Sequence, residues 1–266
     1  MDLDLENGWQ VLPIGSETGT AYIGIKQKEK VFLKRNPSPF IAALSLEEIT
    51  PKLIWSKRMH TGDTLTAQQW MNGRCLERSE MSSELVLDLL RRVHSSDLLK
   101  KMLAKVGGLH YQPEDFLTLY YRGISTELMS HPLLARCAKF LESHLPTYAV
   151  KDYEVSHGDL NRQNFLLSDS GQLYLVDWES VMFADPAKDL SMLMCRYVPR
   201  ADWKQWLESY FGKQLPEAME FRIQWYALMN LLLDVKYNYQ RGRFHEMNQD
   251  IIKIQQTFEF FEKLYF

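Results

Sequence analysis

The chain has 266 residues, of which 45% are hydrophobic and 24% charged, and both fractions are ordinary for a folded protein of one or two domains. Its 31 lysines and arginines are outnumbered by 34 aspartates and glutamates, so it lacks the positive charge that favours nucleic acids or anionic membranes. Three cysteines stand far apart, at Cys75, Cys137 and Cys195, which excludes a disulfide framework and predicts reduced thiols. The acidic N-terminus lacks a signal-peptide pattern, and no segment is apolar enough for a membrane span. We therefore expect a cytoplasmic protein.

The first 70 residues are rich in β-sheet signals. Four runs of β-branched and aromatic residues predict strands, at 21–25, 31–34, 52–56 and 64–70. The polar segment 26–30 separates the first two runs, which predicts a hairpin. Pro37 and Pro39 prevent a continuous helix after Lys34 and leave room only for a short one at 40–46. Residues 1–70 are therefore predicted to form a small β-rich lobe.

The pattern changes to a helical one after Asn72-Gly73. Apolar residues at helical spacing predict a helix that starts near Ser82 and further helices at 134–145, 189–197, 217–239 and 248–264. In the first of these helices the predicted core positions are Leu85, Val86, Leu89, Leu90 and Val93. The sequence therefore predicts an α+β fold with two unequal lobes: residues 1–70, a hinge at 71–73, and a larger, mainly helical lobe at 74–266.

One segment of the second lobe combines strands with polar residues. Runs 165–167 and 173–176 predict two strands, and Asp169-Ser-Gly171 predicts the turn between them. With Ser170 and Gly171 as the turn residues, Asn164 would stand opposite Asp177 at the open end of the hairpin. An amide oxygen beside a carboxylate is a donor pair suited to Mg²⁺.

Asp159 lies five residues before Asn164, in the loop that leads into this hairpin. A loop carboxylate near a divalent cation is suited to accept a proton from a substrate hydroxyl. One group that orients the nucleophile and two that hold the metal are the requirements of phosphoryl transfer. Asp189 begins a predicted helix, where it can cap N–H groups and brace the loop that carries Asp159.

These residues resemble a known family. The string His157-Gly-Asp159, followed by Asn164, Asp177 and the segments 176–179 and 185–190, resembles aminoglycoside phosphotransferases and choline kinase-like enzymes, which share the protein-kinase fold. The resemblance implies a kinase that uses ATP (or GTP) and Mg²⁺. It gives His157 a structural role in the catalytic loop.

The resemblance also implies functions for the first lobe. The segment 14–20 resembles the nucleotide-covering loop, whose phosphate contacts would come from Gly15, Ser16, Thr18 and Gly19. Lys34 resembles the lysine that contacts the phosphates, and the backbone of Gln69, Trp70 and Met71 would bind the purine edge. The helical glutamate that pairs with this lysine in kinases has no clear counterpart, and Glu47 and Glu48 are the candidates.

Three further segments, 32–36, 50–55 and 67–73, resemble the family of cell-cycle regulators that includes CcrZ of Gram-positive bacteria. Members of that family look like sugar or nucleoside kinases and are associated with FtsZ at the division site and with replication initiation by DnaA. The resemblance therefore implies ribose or a ribonucleoside as the acceptor, with FtsZ and replication initiation proteins as partners.

Two alternatives stay open. The first is a choline or aminoglycoside kinase, although the mixed charges of residues 216–266 do not favour a polycationic acceptor. The second is a pseudokinase that acts as a scaffold for cell-division proteins. The presence of Lys34, Asp159, Asn164 and Asp177 favours catalysis over the scaffold.

Overall fold

The computed structural model describes residues 8–14, 19–212, 215 and 218–265, and the chain divides into two compact units. The first unit comprises Met1–Glu77, Ser96–Gly107 and Asn161–Ser180, and the second comprises Arg78–Ser95, Gly108–Leu160 and Val181–Phe266. Gly15, Ser16 and Thr18 lie outside the described residues. The lobe boundaries at 70 and 74 and the hinge between them stay a prediction.

The elements alternate between short strands and helices of very different length. The strands are β1 (Gln10–Pro13), β2 (Ala21–Lys26), β3 (Glu29–Arg35), β4 (Leu53–Arg58), β5 (Thr64–Gln69), β6 (Gly73–Cys75), β7 (Glu154–Ser156), β8 (Phe165–Ser168), β9 (Leu173–Leu175) and β10 (Met182–Ala184). The helices are α1 (Ile41–Leu46), α2 (Glu84–Ser95), α3 (Asp97–Lys105), α4 (Pro113–Tyr121), α5 (Thr126–Ser130), α6 (Pro132–Ser143), α7 (Ala187–Tyr197), α8 (Trp203–Phe211), α9 (Met219–Gln240) and α10 (Phe244–Tyr265). The predicted α+β class, with an N-terminal sheet and a larger helical part, is confirmed.

An antiparallel sheet with the order β1-β2-β3-β5-β4 organises the first unit. Side chains alternate between the two faces of a strand, so Val31 and Leu33 of β3 share one face, as do Leu65 and Ala67 of β5. These four side chains are buried and form one cluster. The predicted hairpin β2–β3 and the predicted strands at 52–56 and 64–70 are confirmed, and the short helix after the two prolines is α1.

A second antiparallel sheet of the first unit has the order β6-β8-β9. Strands β6 and β8 approach each other closely at Gly73, where a Cβ atom would lie 2.2 Å from the carbonyl oxygen of Leu167. Any side chain at this position would therefore displace the backbone of β8. Strand β9 is joined to the segment after α1, because the N–H of Leu175 donates to the carbonyl of Ile49 (2.9 Å).

The register of the β8–β9 hairpin differs from the prediction by one residue. Phe165 opposes Leu175, and the N–H of Val176 donates to the carbonyl of Asn164 (2.8 Å). Asn164 therefore stands opposite Val176, and the prediction that it stands opposite Asp177 is wrong.

The loop of this hairpin explains the difference. The N–H groups of Gly171 and Ser168 donate to the carbonyls of Ser168 and Gln172, respectively, which leaves a loop of three residues, 169–171, in place of the expected two. Gly171 has a φ of 84°, the left-handed conformation that closes a three-residue loop after a type I turn.

Helix α9 forms the centre of the second unit. Every residue from 222 to 232 is buried, as expected for a helix enclosed by its neighbours. Helix α2 presents Leu89, Leu90 and Val93 to the interior, as predicted, whereas Leu85 is 43% exposed and does not belong to the core. Strands β7 and β10 pair antiparallel in the same unit.

Within the described ranges, we find no helix that combines the length and the apolar composition needed to cross a bilayer.

Candidate active site

Lys34 lies on β3, a strand held on both sides. Ala21 of β2 and Thr66 of β5 are its partners across the two ladders. Its ammonium lies 3.1 Å from Asp177 Oδ1 and 2.9 Å from Glu179 Oε1. The structure therefore brings the predicted phosphate-binding lysine and one predicted metal ligand into direct contact within the first unit.

The two carboxylates are presented by a short segment anchored by the tryptophan between them. Trp178 is buried, its Nε1–H donates to the carbonyl of Leu175 (2.8 Å), and its ring meets that of Phe40 edge-on at 6.0 Å. Asp177 itself has a φ of 63°, a conformation that Asp tolerates better than most residues. This backbone turns the side chains on either side of Trp178 towards Lys34.

The electrostatics of this cluster favour a charged lysine. Partial burial lowers the pKa of Lys34, but the hydrogen bond to Glu179 and the charge of Asp177 outweigh it and raise the pKa above its ordinary value. About half of the surface of each carboxylate side chain is exposed, and exposed ion pairs contribute only about 0.2–1 kcal/mol. The lysine can therefore exchange these partners for phosphate oxygens at small cost.

Glu47 and Glu48, the candidates from the sequence for pairing with Lys34, are not its partners in the structure. Glu47 follows α1 as its C-terminal cap, and Glu48 has a φ of 54°. The glutamate in contact is Glu179, which sequence reasoning missed. The signal that could have found it is a second carboxylate two residues after Asp177, at the end of an apolar strand.

Hard oxygen donors for a cation are available in the first unit. Asp177 and Glu179 contribute carboxylates, and Asn164, which is buried and ends a short 3₁₀ turn before β8, contributes an amide. The described residues contain no cluster of three or more His, Cys, Asp or Glu residues suited to a metal. The two carboxylates and the amide named above fit Mg²⁺, because Mg²⁺ is usually held by one or two carboxylates together with substrate phosphates.

Asp159 lies in the second unit, on the loop after β7. This loop is held by Asp189 of α7, whose carboxylate accepts hydrogen bonds from the N–H of His157 (2.8 Å) and of Gly158 (3.1 Å). The N–H of Asp159 lies 3.3 Å from His157 Nδ1. Asp189 therefore binds the backbone of this loop at two positions, and the supporting roles of Asp189 and His157 in catalysis stay predictions.

Two residues that sequence reasoning missed extend this network. His94 of α2 is buried and lies between Asp189 (Nε2–Oδ2, 3.3 Å) and the hydroxyl of Tyr210 (Nδ1–Oη, 2.7 Å). Burial raises the pKa of Tyr210, so its hydroxyl stays protonated and can donate to Nδ1 while Nε2–H donates to Asp189. No local pattern could have joined these residues, because about 100 positions separate His94 from each partner.

The Asp189 carboxyl is fully buried but ionised. Burial by itself raises its pKa, but the hydrogen bond with His94 and the electrostatic interactions with His94 and Lys188 outweigh that effect and hold the pKa well below its ordinary value. A carboxylate that accepts several N–H hydrogen bonds is stabilised in its charged form. The loop that carries Asp159 is therefore held by a permanent negative charge.

The predicted nucleotide-binding residues are described in part. Gly19 has a φ of 62° and accepts a hydrogen bond at its carbonyl from the hydroxyl of Tyr22 (3.1 Å). The N–H of Gln69 already donates to the carbonyl of Lys52 (2.8 Å). Trp70 and Met71 follow β5 and are partly exposed. Their roles in binding a nucleotide stay predictions.

Comparison with known proteins assigns the family. A model of the APH family, described as a phosphotransferase enzyme family, matches residues 11–226. Among solved structures, an aminoglycoside phosphotransferase assigned as putative, from Ralstonia eutropha, superposes with a TM-score of 0.74 at 14% identity, over 98% of this chain and 94% of that one.

Two choline kinase-related structures are also similar. A choline/ethanolamine kinase family protein from Mesorhizobium loti has a TM-score of 0.66 at 15% identity, over 94% of this chain and 88% of that one. The choline kinase LicA from Streptococcus pneumoniae, in complex with AMP, has a TM-score of 0.65 at 14% identity, over 96% of this chain and 94% of that one. The chain therefore belongs to the APH phosphotransferase enzyme family and has a protein-kinase-like fold.

Proposed function

We propose that this protein transfers the γ-phosphate of Mg-ATP to a hydroxyl group of a small molecule. The observation that carries the proposal is the Lys34 ammonium held by Asp177 and Glu179. The Lys34 ammonium can bind the phosphates of a nucleotide, and the half-exposed carboxylates beside it can bind the Mg²⁺ that accompanies the nucleotide.

Each group of the cluster has a separate task. Lys34 binds the phosphates as a fixed positive charge. Asn164 and Asp177 would hold Mg²⁺. Glu179 orients Lys34 and offers a third oxygen donor for the cation. When bound, the cation supplies charge neutralisation of the transferring phosphate. The adenine nucleotide is supported by the AMP complex of LicA, and Gly15, Ser16, Thr18, Gly19, Gln69, Trp70 and Met71 are the proposed nucleotide contacts.

Asp159 acts on the acceptor. Its carboxylate orients the acceptor hydroxyl and accepts its proton, a contribution that is about 10²–10⁴-fold for general bases. His157 and Asp189 hold the loop in position, since Asp189 accepts hydrogen bonds from the N–H groups of His157 and Gly158.

Ribose or a ribonucleoside is the proposed acceptor. It is supported by the likeness of segments 32–36, 50–55 and 67–73 to sugar or nucleoside kinases of the cell-cycle family. Choline and aminoglycosides are the alternative, supported by the names of the similar structures. An aromatic box for choline would draw on exposed aromatic residues of the second unit. Trp206, Trp225 and Tyr226 are buried in the core, whereas Tyr237 is 40% exposed and Trp203 and Tyr239 are partly exposed.

The same likeness supports a role in linking division to replication initiation, with FtsZ and initiation proteins as partners at the division site. A chromosomal Asp159→Ala strain tests whether catalysis is required for it. If phosphorylation is the function, this strain should reproduce the deletion phenotype with normal protein level and localisation. Normal replication timing would favour the scaffold.

The acceptor is tested by ADP release from Mg-ATP with the purified protein and a panel of ribose, ribonucleosides, choline and aminoglycosides. We expect the largest kcat/KM for ribose or a ribonucleoside, and loss of that activity in Asp159→Ala. Preference for choline or an aminoglycoside would refute the proposed acceptor and retain the phosphotransferase. Acceptor-dependent turnover that is unchanged in Asp159→Ala would refute the role of Asp159.

A further inference from the structure

Lys188 is a lysine in the interior of the second unit. It lies on α7 next to Asp189, and only 3% of its surface is exposed. Lysine is almost never fully buried unless its ammonium has a partner, because moving an ammonium group out of water is costly. Its position therefore calls for an interaction inside the protein.

The ammonium of Lys188 faces the loop that carries Asp159. Nζ lies 3.5 Å from the carbonyl oxygen of Gly158 and 5.7 Å from the centroid of the Phe116 ring. Among the described residues, the Gly158 carbonyl is the hydrogen-bond acceptor of this ammonium. The carbonyl belongs to the peptide bond that joins Gly158 to Asp159.

Neighbouring side chains of α7 thus contact both polar groups of one loop residue. Asp189 accepts the hydrogen bond from the N–H of Gly158 (3.1 Å), and Lys188 lies at its carbonyl. Gly158 has a φ of 81°, a left-handed conformation that other residues rarely adopt. Because the two contacts fix both peptide planes of Gly158, they also fix the direction in which the chain enters Asp159.

We propose that Lys188 is a positioning residue for Asp159, which it orients through the carbonyl of Gly158. This inference rests on the proposed function, in which Asp159 activates the acceptor hydroxyl. A loss of orientation at the acceptor lowers kcat, since misplacement by about 1 Å can cost about 10²-fold. It leaves the nucleotide contacts of Lys34 intact.

The charge of Lys188 gives the role a pH dependence. Burial lowers its pKa to about 8; Asp189, Asp234 and Asp159 act against this shift and Arg196 reinforces it. Asp189 and Arg196 lie on α7 itself, Asp234 on α9 and Asp159 on the loop, whereas α4 contributes the uncharged ring of Phe116. The ammonium is present below this pKa and is lost above it, so the orientation of Asp159 should weaken as the pH rises through about 8.

The test compares Lys188→Met with a matched control, Lys236→Met. Lys236 also directs its ammonium to backbone carbonyls of the second unit, those of Leu119 (2.6 Å) and Arg122, but neither belongs to the loop. We expect Lys188→Met to lower kcat about 10- to 100-fold with the KM for ATP nearly unchanged, and Lys236→Met to keep kcat. Wild-type kcat in Lys188→Met, or an equal loss in both variants, would overturn the inference.

Lys188→Arg supplies a readout that does not depend on the stability of the methionine variant. Arginine keeps its charge well above pH 8, so the fall of kcat that we expect in the wild type near that pH should be absent or shifted upwards. The same alkaline fall in both proteins would overturn the role of the ammonium. Asp159→Ala separates the two hypotheses. Loss of turnover in Asp159→Ala with wild-type kcat in Lys188→Met refutes only this inference, whereas full turnover in Asp159→Ala refutes the proposed role of Asp159 and the inference with it.

Discussion

The Lys34 ammonium is bound by Glu179, whose Oε1 lies 2.9 Å from Nζ, and this glutamate is two residues from Asp177, which binds the same ammonium. In the kinase pattern the partner of this lysine comes from a helix that follows the strand. Here that helix, α1, is only six residues long, and the carboxylate comes from the segment after β9. The segment 177–179 therefore both carries the candidate metal ligand Asp177 and holds the ammonium of Lys34.

Glu179→Gln tests this arrangement. The substitution removes one of the two negative charges at Lys34, so we expect the KM for Mg-ATP to rise several-fold. The free energy of unfolding should change by no more than about 1 kcal/mol, because the Glu179 side chain is half exposed to solvent. Steady-state kinetics and denaturant unfolding measure the two effects.

The matched control is Glu48→Gln, at a glutamate that the sequence alone made a candidate for the same pairing. It should leave the KM for Mg-ATP near the wild-type value. A larger effect of Glu48→Gln than of Glu179→Gln would contradict the assignment of Glu179 to Lys34.

Asp177→Asn removes a charged oxygen donor and keeps the size of the side chain. We expect a weaker apparent affinity for Mg²⁺ and for Mg-ATP, with part of the activity regained at higher Mg²⁺ concentration. A magnesium titration of the initial rate provides the measurement. The metal role of Asp177 is refuted by an identical magnesium dependence in the two proteins.

The buried Lys188 should also alter the pH dependence of stability. Its pKa is about 8 in the folded protein against an ordinary value of 10.5, so between these values the unfolded chain binds a proton that the folded protein does not. Stability then rises with pH in this window, by at most about 1.4 kcal/mol per pH unit from this group.

Denaturant unfolding of the wild type and of Lys188→Met at several pH values isolates the effect, since other groups cancel in the difference. The unfolding free energy of the wild type relative to the variant should increase from about pH 8 upwards. A constant difference would show that Lys188 titrates normally, and a decreasing one would show that folding raises its pKa; either result would contradict the prediction. As the pH rises above about 8, the stability contributed by Lys188 should increase while kcat should fall. Nonspecific unfolding at alkaline pH would lower both, so it cannot produce this combination.

The β-rich first part of the fold could be predicted because its signals are local. Alternating residues such as Val31 and Leu33 place one face of a strand in the core, and Pro37 and Pro39 limit the helix that follows. The hairpin after Asn164 was predicted with the wrong register, because its turn sequence allows a loop of two or three residues. The backbone hydrogen bonds of Ser168 with Gly171 and Gln172 in the structure decide between them.

The helical part was predicted less completely. The long amphipathic and buried helices, such as α6 and α9, carry enough periodicity to be recognised. Helices α4 and α5 have nine and five residues, too few turns for a clear pattern. Helix α10 begins at Phe244, four residues before the predicted start at Asn248.

The residues of the candidate site also divide into those with a local sequence signal and those that only the folded structure brings together. Asp159, Asn164 and Asp177 could be selected because they lie within one short segment with a recognisable spacing. Glu179 has a weak local signal, its spacing from Asp177, whereas His94 and Lys188 can be recognised only from tertiary contacts, with a tyrosine on α8 and a backbone carbonyl. Sequence spacing carries no record of such contacts.

The central claim is that the protein transfers phosphate from ATP to a small-molecule hydroxyl with Asp159 as the group that activates the acceptor. The most direct measurement follows labelled γ-phosphate from ATP into the acceptor, with the product identified by mass spectrometry, for the wild type and for Asp159→Ala. We predict a phosphorylated ribose or ribonucleoside with the wild type, and a rate lower by at least about 10²-fold in Asp159→Ala with ATP affinity retained. Equal label transfer by both proteins, or no transfer to any hydroxyl by the wild type, would contradict the claim.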